Sequence, residues 1–77
     1  MPVYNFKSTV EIFRTDVPDT AVAGKVVSVL NDHFPEAHIN FDLEDCDKIL
    51  RVEGPYVSIK KVEDILYSLH IHAEVLF

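Results

Sequence analysis

Asp16-Val17-Pro18-Asp19-Thr20-Ala21-Val22 decides the fold, because it reads as a bend between a strand and a helix. Ahead of it, Val10 and Ile12 alternate with Thr9, Glu11 and Phe13, which predicts a half-buried strand from about Thr9 to Thr15 with Val10 and Ile12 inward. Phe13 directly follows Ile12. Either Phe13 faces the open side of the sheet, or a bulge shifts the register near Arg14. Behind the bend, Val22, Val26, Val29, Leu30 and Phe34 recur at helical spacing, with Lys25, Ser28 and Asp32 off the stripe. Asp16 or Asp19 supplies a side-chain oxygen to the free amides of this helix start, and Pro18 suits its first turn because proline has no amide to lose. Pro35 ends the helix.

Downstream, the pattern changes period. Ala37 to Leu43 puts Ile39, Phe41 and Leu43 on one face of a strand and His38, Asn40 and Asp42 on the other. Glu44-Asp45-Cys46-Asp47 is a tight acidic connection. Lys48 to Glu53 returns as a strand, with Leu50 and Val52 inward and Ile49 and Arg51 outward, and Gly54-Pro55 breaks it. Ser58 caps a second helix whose stripe is Ile59, Val62, Ile65, Leu66 and Leu69. A short last strand, about His72 to Leu76, presents Ala73 and Val75 to the core.

Two strand–helix units with a hairpin between them predict an α+β, ferredoxin-like βαββαβ sandwich. Right-handed crossovers place both helices on one face of a four-stranded antiparallel sheet. The uncovered face is expected to show Glu11, Phe13, His38, Asn40, Ile49, Arg51 and Glu74. That mixture is simplest as an ordinary wet face. Residues 1–77 form a single domain, with residues 1–8 an N-terminal extension to which no element is assigned, although Tyr4 and Phe6 are too apolar for a free tail.

Composition narrows the function classes. A 48% hydrophobic fraction supports one compact core and argues against disorder. One cysteine allows no internal disulfide and no cysteine-cluster metal site. The net charge of −6 repels phosphate backbones, so nucleic acid is not an expected partner, and Lys60-Lys61 reads as a solvated helix face. No apolar run reaches the length of a membrane span, and Met1 to Lys7 lacks the charged and apolar regions of a signal peptide, so a cytoplasmic protein that does not meet a membrane is expected. No nucleophile–base set converges with an oxyanion donor, and two glycines cannot build a phosphate loop. The expectation is a protein that is not an enzyme.

The strand with Val10 and Ile12, the helix stripe Val26, Val29 and Leu30, the Glu53-Gly54 break and the closing Ala73-Glu74-Val75-Leu76 resemble the heavy-metal-associated domain. This is the small copper-chaperone-type module also found at the ends of metal-transporting ATPases. The likeness runs from about Val10 to Leu76, with Val17 where the family has a methionine before its metal loop. The family holds its ion with two cysteines separated by two residues astride the start of the first helix. Aligned on Leu30, those positions are Asp19 and Val22. A soft ion such as Cu(I) selects sulfur, and valine offers no lone pair. The resemblance therefore implies the family's scaffold with its metal site replaced and Cu(I) transport lost.

Other chemistry at that end involves different donors. The bend, the Glu44–Asp47 turn and the Ser68–Ile71 loop fall together and collect Asp16, Asp19, Asp42, Glu44, Asp45 and Asp47, six of the thirteen acidic residues. The candidate binding loop is Asp16, Asp19 and Thr20 with His70 and His72. Asp19 and His70 suit a borderline divalent ion such as Zn²⁺ or Ni²⁺, given further ligands, although carboxylates at loop ends more often act as caps. Residues 42–47 resemble a calcium loop only superficially, because Asp47 stands where glycine is needed. Cys46, among Glu44, Asp45 and Asp47, is expected to be exposed and unreactive.

The leading expectation is a non-enzymatic binding or interaction module needing no cofactor. It would meet a protein partner, or a second copy of itself, through a sheet edge or its acidic end. The alternatives are a Zn²⁺- or Ni²⁺-binding protein using Asp19, His70 and perhaps His72, and a small-ligand sensor. The sensor reading follows from Asp16-Val17-Pro18 and Ile39-Asn40, which resemble ACT domains.

Overall fold

The computed structural model describes residues 8–76. The elements run β1 (Ser8–Thr15), α1 (Thr20–His33), β2 (His38–Asp42), β3 (Ile49–Pro55), α2 (Ile59–Ser68) and β4 (Ala73–Leu76). The strands form one antiparallel sheet in the order β2-β3-β1-β4, giving the ferredoxin-like α+β arrangement. Tyr4 and Phe6 lie outside the described residues. Ser8, read from sequence as part of the extension, is the first residue of β1.

Each helix forms where a cap and an apolar stripe coincide. Asp19, extended at φ −158°, accepts the Val22 amide on Oδ1 at 2.9 Å, and α1 then buries Ala23, Val26 and Leu30. Ser58 Oγ accepts the Lys61 amide at 3.2 Å, and α2 buries Val62, Ile65 and Leu66. Beneath them lie Phe13, Leu50 and Val52, all fully buried, with Val17 closing the core at the bend. Among the described residues no helix is long and apolar enough to cross a membrane.

Three sequence readings need correction. Phe13 does not face the open side, and no bulge interrupts β1 near Arg14 on the β4 side, where pairing is unbroken from Ile12↔Leu76 to Thr15↔Ala73. Phe13 is fully buried opposite Leu50, in an unbroken register from Ser8↔Pro55 to Phe13↔Leu50. Strand parity is set at the bend end of β1, where Phe13, Thr15 and Val17 all point inward, and this turns Val10 and Ile12 outward. Val10 is accordingly 42% exposed. Glu11 sits opposite Val52 on the helix-covered face rather than the open one. The third correction concerns β3, which runs through Gly54 and Pro55 instead of stopping before them. Gly54 stays in the strand through its pairing with Thr9, and Ala37 packs close enough to favour glycine there. A Cβ there would meet the Ala37 Cα at 3.0 Å and its Cβ at 3.1 Å.

The open face therefore carries rows of paired side chains. Asn40, Arg51, Ile12 and Leu76 form one row, and His38, Glu53 and Val10 another. Arg14 pairs with Glu74 at 3.2 Å and with Asp47 at 3.5 Å, and Arg51 with Glu53 at 3.2 Å. With these charges exposed or half-exposed, the pairs arrange the surface more than they stabilise the fold.

Candidate functional site

At the bend, both carboxylates are engaged by main-chain amides. Asp19 caps α1, as above. Asp16 Oδ1 accepts the His72 amide at 2.9 Å while the Asp16 amide donates to the His72 carbonyl at 3.3 Å, a clasp between residues 56 apart in the chain. Behind them, Thr15 is buried with its hydroxyl both donating and accepting. It donates to the Lys48 carbonyl at 2.6 Å and accepts the Val17 amide at 3.3 Å. Asp19 is thus a carboxylate capping a helix, and Val22 the aliphatic residue whose amide it caps. That donor set does not fit a soft cation.

His70 has a backbone role of its own. It adopts φ 64° just past the end of α2, and its amide donates to the Tyr67 carbonyl at 2.9 Å while Ile71 donates to Leu66 at 2.9 Å. These two bonds form a Schellman motif, sealed by the apolar pair Ile71 and Leu66, both buried. The motif presents His70 beside Asp16 and His72 in an open groove of about 470 Å³ that Tyr67, Ser68 and Ile71 complete. Asp19 and Thr20, the other members of the sequence-predicted loop, are not in its lining. Among the described residues, the one group of three metal-type donors within 4.8 Å is Asp45, Cys46 and Asp47 in the β2–β3 turn. Its geometry follows from the turn itself. Asp45 Oδ1 accepts the Asp47 amide at 2.8 Å, and Cys46 is exposed.

Thr20 belongs to a different groove, of about 590 Å³, running between α1 and the outer edge of β2. Ala23, Gly24 and Val27 form its helix wall, and Ile39, Phe41 and Leu43 contribute apolar side chains from the strand side. Sequence reasoning passed over this groove, although one signal was available. Gly24 sits in the middle of a 14-residue helix, where glycine costs about 1 kcal/mol relative to alanine. A Cβ built on it meets nothing within 4 Å. Internal packing therefore does not require glycine at this position.

Beside the groove, β2 is an edge strand whose outer side has no neighbour among the described residues. His38-Ile39-Asn40-Phe41-Asp42 has neither the lysine nor the proline that commonly blunts such edges. No family model, no curated protein and no solved structure matches the chain.

Proposed function

We propose that this protein is a non-enzymatic docking module, built on a scaffold of the heavy-metal-associated type. Of its two metal-loop positions, Asp19 serves as a helix cap and Val22 supplies the amide that is capped, and it takes a partner's extended segment along the α1–β2 groove. The observation that carries this reading is Gly24, a mid-helix glycine bare of neighbours on the wall of an apolar groove beside an edge strand that has no lysine or proline. A strand added to β2 would gain main-chain hydrogen bonds, and every second side chain would drop toward α1. The absence of a Cβ at Gly24 lets that segment come close to the helix.

A library of displayed random peptides, panned on the full chain, tests this. Enriched sequences should carry apolar residues at alternate positions. Their binding should be lost in Gly24→Arg, which fills the groove while favouring the helix and so leaves the far-ultraviolet circular dichroism unchanged. Recovering no peptides from a chain that is monomeric at the panning concentration, or recovering peptides indifferent to Gly24→Arg, overturns the reading.

A second reading rests on one observation, that Asp16, His70 and His72 line a common groove. If a Zn²⁺-type ion is held there, adding zinc should raise the melting temperature by mass action. The combined change His70→Gly and His72→Ala should cancel the rise. An unchanged melting temperature with excess zinc removes this alternative.

A further inference from the structure

The β2 edge is complementary to itself. Set antiparallel to another copy about Asn40, His38 falls opposite the partner's Asp42 and Asp42 opposite the partner's His38, while Ile39 faces the partner's Phe41 and Phe41 the partner's Ile39. Directly opposed residues of an antiparallel pair share a face. His38, Asn40 and Asp42, all exposed, would therefore form two imidazole–carboxylate pairs flanking an amide pair on the wet face. Half-buried Ile39 and Phe41 would meet their counterparts on the helix side. Asp42 Oδ1 receives the Glu44 amide at 3.2 Å, which orients the carboxylate and leaves its other oxygen to a neighbour.

The helix layer is compatible with the same pairing. A two-fold axis normal to the sheet keeps both copies' helices on one side, and two helices over four strands stand about two strand spacings apart, roughly 10 Å. Continuing that spacing across the seam brings α1 against its symmetry mate at the usual helix-packing distance of about 8–10 Å. The residues then facing the seam are those of the groove wall, Thr20, Ala23, Gly24 and Val27. Their small size suits a close crossing, and Gly24 has open space where a contact could form.

We infer that the chain associates with a second copy through β2, joining two four-stranded sheets into one of eight strands with the α1 grooves merged at the seam. This rests on the docking reading of the same edge and names its occupant. The interface is isologous, so each charge pair occurs twice and any change at position 38 or 42 acts twice.

Sedimentation of the full chain over a concentration series reaching the millimolar range, at physiological salt to screen the mutual repulsion of two acidic copies, provides the test. The wild type should be a dimer. His38→Asp and Asp42→Lys should each weaken self-association by roughly tenfold or more, since each sets two like or unpaired charges opposite one another. Mixed in equal amounts, the two variants should form a heterodimer, because the carboxylate introduced at position 38 of one then faces the ammonium introduced at position 42 of the other. The native pairing of His38 with Asp42 is kept on the other side of the seam. That rescue also shows that both variants are folded. A wild type that remains monomeric, or variants that dimerise as well as wild type, overturns the inference. The docking reading fails separately. A monomeric chain that still binds edge-pairing peptides sinks self-association alone, whereas one that binds neither sinks both.

Discussion

His70 is where the residue scale decides most. Sequence offered it as a metal ligand, but its backbone is what the fold uses, at a left-handed position that glycine fills most easily. For an L-residue that conformation costs about 1–2 kcal/mol, and replacing it with glycine returns about 0.4–1 kcal/mol to the unfolded chain as entropy. His70→Gly should therefore stabilise the protein by about 0.5–1 kcal/mol, read as a higher denaturation midpoint at unchanged slope in urea. A loss of stability would mean that the imidazole makes contacts outweighing the backbone term. Thr15 teaches the complementary lesson. Its composition reads as a polar strand end, yet it is buried between two main-chain partners. Nothing local in the sequence announces such bonds, because one partner, Lys48, is 33 residues away.

Among the elements, the two glycines make opposite predictions. Gly24 faces open space within α1, so Gly24→Ala should raise stability by about 1 kcal/mol. In a domain of this size that is a melting temperature about 4–8 °C higher. Gly54 is buried in β3 against Ala37, and Gly54→Ala should lower stability by about 1–3 kcal/mol through overpacking. Thermal melts of the two variants check both signs at once, and equal shifts would contradict the distinction. Element order was legible because the apolar period switches cleanly between helix and strand spacing, and because Asp19, Ser58 and Pro35 mark helix ends. The face of β1 was not. Val10, Ile12 and Phe13 put apolar residues on both parities, and only pairing with β3 and the inward Val17 decide between them. Gly54-Pro55 misled for a related reason, since residues that end an isolated strand can continue one whose neighbour is already in place.

For the molecule as a whole, the sheet order and the two helix faces followed from pattern plus chain handedness, whereas the α1–β2 groove did not. A groove is a property of the gap between elements, and the α1–β2 groove depends on how the residue 20–27 helix wall sits over the edge strand. The acidic end illustrates the same limit. Sequence gathered its carboxylates at one end, but the structure gives several of them separate tasks, capping α1, clasping β4 and shaping the β2–β3 turn. The clasp also has a consequence for how the protein is made. Of the four strands, β4 leaves the ribosome last, yet its place is beside β1, the first. Until residues 73–76 emerge, the growing chain shows one bare flank of a central strand, with Phe13 and Leu50 shielded by an unfinished sheet. A copy whose β4 has not yet docked is therefore more prone to stick to another than the finished fold is, and the Asp16–His72 link is the stitch that ends that exposure.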